Sequence, residues 1–417
     1  MLPHQPQGPR NDKERMSPAH PNGTDGRRAG SLADGPLTSL LEALSAVPAD
    51  DLCAVVDMAG AALGATASRM LVADYALTSL RELGDRGPDC PFQLIEGTVA
   101  GRCFAFDEIV VVADPPTVYV PMTDGSERLG VLELAHASWS DDVATAAEAI
   151  VQLLVLLMIS KRRYTDIVHQ TRRAEPLSVA AEMQWALLPP LACSTDHVSA
   201  SGILEPAYAI GGDTFDYALT RSGLDFAIVD AVGHGLPAVS ISAVTVNGLR
   251  NARREERSLE VAYLDTDATL RSQFTRSAYA TAQFGSLSST TGELTWLNAG
   301  HPLPLLVRDA TFIGEVPCRP SLPMGLGGSV TEIAVAQLQP GDRVLFYTDG
   351  VTESQSPGGE TFGVDRLADL LVRGAADGTS PAESVRRLVA TVVEYNDRRL
   401  RDDATLFMLE YHGNHTS

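Results

Sequence analysis

The segment LDFAIVDAVGHG, residues 224–235, shows a pattern that recurs through the C-terminal half of the chain. A short apolar β-type run ends in an aspartate within a glycine-rich turn. Acidic clusters at the ends of apolar segments recur in GGDTFD (211–216), YTDG (347–350) and RDDAT (401–405). Helical stretches separate some of the β-type segments, without the regular strand and helix alternation of a doubly wound parallel fold. The pattern therefore predicts an α+β fold in which sheets pack with helices.

The four aspartate clusters at predicted strand ends also have a chemical interpretation. A single aspartate beside glycine at a strand terminus is ordinarily a turn residue. Four such clusters together predict a cation site, because crowded carboxylates are costly without a counter-charge. Carboxylates without His or Cys partners are hard oxygen ligands, which suit Mg²⁺ or Mn²⁺ rather than zinc. Two such ions can share a bridging water, lower its pKa and stabilise phosphoryl transfer to water.

The order of eight short motifs resembles one known family. GGDTFD, DAVGHG, NAGH, PMGLG, LQPGD, FYTDGVTE, FG and DDAT follow one another as in the metal-dependent protein phosphatases of the SpoIIE/RsbU type, the bacterial branch of the PPM (type 2C) class. The resemblance covers about residues 190–412. It implies a β-sandwich of two antiparallel sheets flanked by helices, with a metal pair at one end of the sandwich.

The resemblance also implies the ligands and the mechanism. By position, the residues that match the family's metal ligands are Asp213, Asp230, Asp349 and Asp402, with the backbone carbonyl of Ala231 as a further candidate. Asp402 is preferred to its neighbour Asp403 for this role. The family's chemistry implies two Mn²⁺ or Mg²⁺ ions whose activated water attacks phosphoserine or phosphothreonine directly, without a phosphoenzyme.

Other polar residues of these motifs each have two interpretations. Asp216 either is a further metal ligand, or hydrogen-bonds to a ligand without touching the metal, or has a structural role with its carboxylate fully hydrogen-bonded. His234 and His301 are candidate general acids because histidine titrates near neutral pH, although their turns favour a structural role. The segment EMQWALLP (182–189) resembles the regulatory helix that precedes the catalytic domain in this branch. Its Gln184 either couples the state of the preceding domain to the order of the metal site, or is a buried polar cap beside Trp185.

The first 190 residues divide into three predicted regions. Residues 1–35 are rich in Pro, Gly, Asn, Asp and Arg without hydrophobic periodicity, which predicts a disordered tail. Residues 36–165 resemble a GAF sensory domain, with a helical pattern from about Leu37, a strand at TASRMLVAD and a hairpin at residues 124–127. Residues 166–190 are predicted to form a helical linker to the phosphatase domain at 191–412.

A long helix is predicted to begin at the N-cap Ser140 and to stop near Pro176. Its apolar stripe around residues 150–157 has two interpretations. It packs within its own domain, or it pairs with a second copy of the chain in a homodimer.

Charge and cysteine content disfavour several classes of protein. The formal net charge of −21 opposes an electrostatic grip on nucleic acid or anionic lipid. The five cysteines lack CxxC or zinc spacing, and neither Cys90 nor Cys103 has an activating neighbour pattern, so all are expected to be buried thiols in a reducing cytosol. The N-terminus lacks an apolar signal core, and the apolar run at 150–159 is shorter than a membrane span. We therefore expect a cytoplasmic protein without membrane attachment.

These observations together predict a metal-dependent serine/threonine phosphatase, regulated through a GAF-like domain. For that domain a small ligand, a protein partner and simple dimer scaffolding all stay open. Family analogy suggests a phosphorylated anti-sigma factor antagonist as substrate, within a partner-switching pathway that controls a sigma factor. Two alternatives stay open at this point. One is a sensor or scaffold that binds a partner without turnover, and the other is a phosphatase of small phosphoesters.

Overall fold

A six-stranded antiparallel sheet, here called the N-terminal sheet, forms the first part of the fold. The computed structural model describes residues 46–48, 50–84, 92–208, 211–398, 400 and 402–413. The strands lie in the order β3-β2-β1-β6-β5-β4. The elements are α1 (Leu52–Ala62), β1 (Ala67–Ala73), β2 (Ser79–Glu82), β3 (Gln93–Leu94), α2 (Val99–Phe106), β4 (Val110–Ala113), β5 (Pro116–Asp124) and β6 (Glu127–Ala135). The predicted tail, the helical pattern from Leu37 and Cys90 lie outside the described residues.

Local sequence accounts for the edges of these elements. The hairpin prediction is confirmed, because Asp124 pairs with Glu127 and Gly125 adopts the positive φ of +60° that such a turn requires. Thr98 caps α2 by accepting a hydrogen bond from the Gly101 backbone N–H at 3.0 Å. Helix α1 packs on β1. The assignment of this region to the GAF family stays a prediction.

Three helices lead from the N-terminal sheet to the rest of the chain. They are α3 (Asp141–Lys161), α4 (Ile167–Thr171) and α5 (Val179–Leu187). Ser140 caps α3 as predicted. The expectation that this helix continues to Pro176 was wrong, because α3 ends at Lys161 and α4 follows as a separate turn of helix. The break lets the chain bury Ile167 and Val168, which an unbroken helix would carry away from the core.

Helix α3 is more apolar than the sequence expectation allowed. Its 21 residues are long and apolar enough, by length and composition alone, to cross a membrane, and a third of its most apolar window is buried inside the structure. The expectation that this region is too short to span a membrane, which considered only the apolar run at 150–159, is therefore wrong for the complete helix. A core helix of a soluble protein passes the same test, so the feature is weak evidence for a membrane segment.

Two further antiparallel sheets pack face to face and form a sandwich. The first sandwich sheet has the order β15-β12-β11-β10-β9, and the second sandwich sheet has the order β14-β13-β16-β17-β8-β7. Their strands are β7 (Ala192–Ser194), β8 (Val198–Glu205), β9 (Asp213–Leu219), β10 (Gly223–Ala231), β11 (Ala280–Ser288), β12 (Glu293–Ala299), β13 (Leu305–Arg308), β14 (Thr311–Glu315), β15 (Ala334–Gln337), β16 (Arg343–Tyr347) and β17 (Ala404–Tyr411). The predicted antiparallel sheets with helices are confirmed.

Helices cover both outer faces of the sandwich. Helix α6 (Leu236–Arg254) packs on β9 and β10, and α7 (Leu259–Gln273) packs on α6. On the other side, α8 (Asp349–Thr352) and α10 (Pro381–Tyr395) contact β17, and α9 (Gly363–Ala376) contacts β13 and β14. The order of layers is helix, sheet, sheet, helix, which buries both faces of both sheets.

Aromatic side chains fill the space between the two sandwich sheets. Phe215 and Phe226 come from the first sheet, and Phe346 and Phe407 come from the second. The ring centroids of Phe226 and Phe346 are 4.7 Å apart, and those of Phe215 and Phe407 are 5.6 Å apart. All four rings are buried, so they contribute both apolar area and favourable ring geometry to the core. This rigid centre fixes the relative position of strands that end in aspartates.

Candidate metal centre

Two aspartates face each other at one end of the first sandwich sheet. Asp213 begins β9 and Asp230 lies near the end of β10, and the two residues are direct cross-strand partners. Gly212 permits the close approach of these strands, because a Cβ atom there would lie 2.3 Å from the carbonyl oxygen of Ala231. The glycines of the GGD motif thus serve close packing around the first aspartate, and the Ala231 carbonyl lies beside them.

The second sandwich sheet supplies two more aspartates at the same end. Asp349 follows β16 at the start of α8, and Asp402 directly precedes β17, the neighbouring strand. Gly350 is required at this junction, because a Cβ atom there would lie 1.9 Å from the carbonyl oxygen of Asp403. The fold therefore brings all four predicted ligands to one end of the sandwich.

Thr348 joins the two sheets at this point. Its hydroxyl donates to Oδ2 of Asp213 at 2.6 Å and accepts from the backbone N–H of Thr405 at 3.0 Å. The interaction holds the Asp213 carboxylate in place from the opposite sheet. Sequence reasoning missed Thr348, although its place directly before Asp349 in the YTDG motif was a usable signal.

Asp403 has a different function from its neighbour Asp402. Its carboxylate accepts from the Gly211 backbone N–H at 3.0 and 2.9 Å and from the Asp213 backbone N–H at 3.2 Å. Asp403 is buried, whereas Asp402 is exposed. Because backbone donors already engage Asp403, the preference for Asp402 as the ligand agrees with the geometry, and the ligand assignment stays a prediction.

The pKa values of three of these carboxylates are raised, first by burial and then by neighbouring negative charges. Burial and the charges of Asp349 and Asp402 raise the pKa of Asp230 to about 7. Burial and the charge of Asp230 also raise the pKa of Asp213, and burial with Glu353 and Asp402 raises that of Asp349. Like charges disfavour one another's ionised form, and a bound cation would offset this repulsion.

The chemistry of the candidate donor atoms suits hard divalent ions, but the carboxylates lie further apart than a bound ion would hold them. Every candidate side-chain donor is a carboxylate oxygen, which suits Mg²⁺ or Mn²⁺. Within the described part of the chain, no group of three Asp, Glu, His or Cys side chains is close enough to hold a metal ion. Binding of a cation would therefore draw the carboxylates together beyond the arrangement seen here.

Comparison with known proteins covers most of this site. Residues 220–412, which contain Asp230, Asp349 and Asp402, match the family model described as Stage II sporulation protein E (SpoIIE). This part of the chain is therefore similar to SpoIIE-type phosphatase domains. Phosphoserine phosphatase RsbU of Bacillus subtilis is 21% identical over 292 residues, which cover 67% of this chain and 83% of that protein.

Solved structures also resemble the chain. The RsbU and RsbW domains of a Mycobacterium tuberculosis protein are 29% identical, cover 52% of this chain and 60% of that chain, and give a TM-score of 0.43. The SiaA-PP2C domain of Pseudomonas aeruginosa is 23% identical, covers 55% of this chain and 94% of that chain, and gives a TM-score of 0.47.

Asp216 has a structural role at the junction of β9 and α6. Its Oδ1 accepts from Arg250 Nε at 3.0 Å and Nη2 at 2.7 Å, and its Oδ2 accepts from Arg253 Nη1 at 2.9 Å. Both arginines lie on α6, so the aspartate fastens this helix to β9. Of its two interpretations, the structural one fits the contacts, because both carboxylate oxygens are already bound by arginine.

The two motif histidines differ in environment. His301 is buried, hydrogen-bonds through Nδ1 to the Thr281 hydroxyl at 2.9 Å, and donates its backbone N–H to Asn298 at 2.7 Å. Burial lowers the pKa of His301 to about 3, so it is neutral at pH 7 and unsuited to donate a proton there. His234 is exposed in the turn before α6.

An open cavity of about 510 Å³ lies beside these carboxylates. Its lining includes Asp402, Asp403 and His234, together with Val179 and Leu236 from the first turns of α5 and α6. The cavity gives a substrate access to Asp402 from solvent. It also places the start of α5 directly at the site entrance.

Gln184 is buried on α5 without a hydrogen-bond partner. Its side chain is 1% exposed, and neither Oε1 nor Nε2 is paired among the described residues. Helix α5 packs on α6, and Arg250 donates to the carbonyl of Leu187 at 2.7 Å. An unpaired buried amide costs on the order of 1–3 kcal/mol, so this packing of α5 carries an energetic penalty.

Proposed function

We propose that this protein is a metal-dependent phosphoprotein phosphatase that hydrolyses phosphoserine or phosphothreonine. The observation that carries the proposal is the convergence of four strand-end aspartates from two sheets. Burial, and then neighbouring carboxylates, raise the pKa values of Asp213, Asp230 and Asp349. The match of residues 220–412 to the SpoIIE family supports the reaction class.

Asp213, Asp230, Asp349 and Asp402 would hold two Mn²⁺ or Mg²⁺ ions, with the Ala231 carbonyl as a further donor. When bound, the ions supply an activated water and neutralise charge on the phosphoryl oxygens. Thr348 fixes the orientation of the Asp213 carboxylate through its 2.6 Å hydrogen bond. Asp403 fixes the backbone that carries Asp213. Among the motif histidines, His234 is exposed and lines the cavity with Asp402, so it is the candidate general acid for the departing serine oxygen.

The proposed substrate is a phosphorylated anti-sigma factor antagonist in a partner-switching pathway. The similarity to the protein named phosphoserine phosphatase RsbU, over 83% of its length, supports a phosphoserine substrate. Comparison of hydrolysis rates on a phosphoserine peptide and on a panel of phosphorylated metabolites tests this choice. Faster turnover of metabolites than of every phosphopeptide would favour the alternative of a small-phosphoester phosphatase.

We further propose a cytoplasmic homodimer in which the N-terminal sheet belongs to a GAF-like sensory domain, at residues 36–165, with its own small-molecule or protein ligand. Residues 166–190 would form the helical linker, with Gln184 as its regulatory residue. The unpaired burial of Gln184 supports a second arrangement of α5 in which the amide gains a partner. Gln184→Leu should then raise the melting temperature and change the phosphatase rate. A changed melting temperature with an unchanged rate would leave Gln184 a packing residue only.

Hydrolysis of p-nitrophenyl phosphate by the full-length protein, with Mn²⁺ and with EDTA, tests the central activity. Asp349→Ala should abolish the metal-dependent rate. Asp369→Ala, which removes an exposed aspartate on α9, is the matched control and should retain it. Equal rates for the wild type and Asp349→Ala would favour the alternative of a sensor or scaffold without turnover.

A further inference from the structure

The loop that leads into the metal centre is fastened to the linker at Ala207 and Tyr208. The Trp185 ring N–H on α5 donates to the Ala207 carbonyl at 2.9 Å. The backbone N–H of Ser178, the N-cap of α5, donates to the Tyr208 carbonyl at 3.1 Å. Two hydrogen bonds therefore fix this loop against both ends of α5.

The Tyr208 side chain reaches from this loop to the N-terminal sheet. Its hydroxyl donates to Oδ2 of Asp74 at 3.1 Å and accepts from the Ala174 backbone N–H at 3.2 Å. Burial, and then the neighbouring Asp74 carboxylate, raise the pKa of the Tyr208 hydroxyl, so the hydroxyl remains a donor at neutral pH. A hydrogen bond from a neutral hydroxyl to a charged carboxylate is stronger than one between neutral groups.

Asp74 is a rigid anchor for this hydrogen bond. It lies directly after β1, is 1% exposed, and accepts from the backbone N–H groups of Thr78 at 2.8 Å and Ser79 at 2.9 Å. Since the turn itself holds the carboxylate, the position of Tyr208 depends on the position of the N-terminal sheet.

Aromatic packing closes the same junction. The rings of Tyr75 and Trp185 have centroids 4.6 Å apart, and the ring of Tyr208 meets Tyr75 edge-on at 6.4 Å. The Arg172 guanidinium lies 4.4 Å over the Tyr75 ring. Residues from the N-terminal sheet, the linker and the loop before β9 thus form one contact cluster.

Three residues beyond Tyr208 the chain is fastened again, this time inside the metal centre. The Gly211 backbone N–H donates to the Asp403 carboxylate, and a Cβ atom at Gly211 would lie 2.5 Å from that carboxylate. Asp213 follows two residues later. Three residues span at most about 11 Å, so the hydrogen-bonded Tyr208 and the hydrogen-bonded Gly211 cannot lie further apart than that.

We propose that Tyr208 is a positioning residue for the metal centre, which it links to the N-terminal sheet through Asp74. This inference rests on the proposed function, because it assumes that Asp213 binds a divalent cation. The intact hydrogen bond holds Tyr208, five residues before Asp213, and so lowers the entropy cost of ordering Asp213 around the ion. Loss of the bond weakens cation binding without removal of any ligand.

Tyr208→Phe in the full-length protein tests the proposal, because it removes only the hydroxyl. Tyr263→Phe is the matched control, since the Tyr263 hydroxyl donates to the Leu322 carbonyl at 2.8 Å, away from the N-terminal sheet. Mn²⁺ binding is measured by titration calorimetry, and amide hydrogen exchange is measured over residues 205–216. We expect Tyr208→Phe to weaken Mn²⁺ binding about three- to tenfold and to speed exchange in this segment. Tyr263→Phe should change neither measurement.

Asp74→Asn provides the second arm. If both residues act through one hydrogen bond, the double variant should weaken Mn²⁺ binding less than the product of the single effects. A lower melting temperature with unchanged Mn²⁺ affinity and exchange in Tyr208→Phe would overturn the proposal, because a merely structural residue gives that result. Absence of Mn²⁺ binding by the wild type would instead refute the proposed function, and the hydrogen-exchange comparison would still decide whether Tyr208 holds the segment.

Discussion

At the scale of single residues, two aspartates of one motif have opposite surroundings. Asp213 faces other carboxylates, whereas Asp216 faces Arg250 and Arg253. The arginines lie 34 and 37 positions further along the chain, so no local pattern in GGDTFD distinguishes the two roles. The convergence of strand-end aspartates at one end of the sandwich was predictable from their repeated pattern. The function of each individual aspartate was not, because it depends on residues that only the fold brings close.

Substitution of these aspartates should separate the two roles. Asp216→Ala leaves two partly buried arginines without their carboxylate and should cost about 2–4 kcal/mol of stability. The protein should still gain thermal stability from Mn²⁺. Asp230→Asn should relieve repulsion in EDTA, retain the melting temperature and abolish the gain from Mn²⁺. Thermal denaturation with and without Mn²⁺ checks both expectations, and a Mn²⁺ gain in Asp230→Asn equal to that of the wild type would contradict the site.

Glu205 should make the stability of the protein depend on pH. Burial, with Asp74 and Glu175 nearby, raises the pKa of Glu205 to about 7. A carboxyl with a raised pKa keeps its proton in the folded state, so stability falls as pH rises from about 4.5 to 7. Glu205→Gln should therefore stabilise the protein by about 1–2 kcal/mol at pH 8 and by little at pH 5. Urea unfolding at the two pH values is the measurement, and equal effects at both would disprove the cause.

At the scale of elements, strands were more predictable than helix ends. The segments around residues 224–230, 343–347 and 404–411 carry enough local apolar and β-branched character to predict their strands. The end of α3 was mispredicted, because Ile167 and Val168 are buried by tertiary packing rather than by any stop signal in the sequence. Thr348 was missed for a similar reason, since its partner Asp213 lies on the other sheet.

Helix α10 is joined to the N-terminal sheet by a buried ion network. Glu383 on α10 binds Arg128 of β6 at 2.6 Å and Arg386 at 2.8 Å, and Arg386 binds Glu96 at 2.5 Å. Burial alone would raise the pKa of Glu383, but the hydrogen bonds and charges of Arg386 and Arg128 lower it to about 2. Its ionised form therefore stabilises the fold above about pH 4.5, and that stabilisation is lost as pH falls towards 2.

Removal of a buried partner from this network should be costly. Arg128→Ala should destabilise the protein by about 3 kcal/mol at pH 7, because the Glu383 charge is left without one of its buried partners. Arg387→Ala is the matched control, because Arg387 pairs with the same carboxylate at 2.7 Å while 45% exposed, and it should cost less than about 1 kcal/mol. Chemical denaturation at pH 7 distinguishes the two. Equal losses would mean that burial does not set the strength of the network.

At the scale of the whole molecule, the N-terminal sheet and the sandwich belong to one compact unit. Contacts between them among the described residues include the Glu383 network, the hydrogen bond from the Leu191 N–H to Glu127, and the hydrogen bond from Tyr208 to Asp74. If Tyr208 has the positioning role proposed above, a change in the N-terminal sheet would reach Asp213 through it.

We expect one end of the sandwich to bind divalent cations between aspartates from both sheets. Anomalous scattering from crystals of the full-length protein grown with Mn²⁺ is the decisive measurement. Strong manganese peaks should appear among Asp213, Asp230, Asp349 and Asp402, and they should be lost in crystals of Asp230→Asn. Manganese bound elsewhere, or no peak at this end of the sandwich at saturating Mn²⁺, would contradict this expectation.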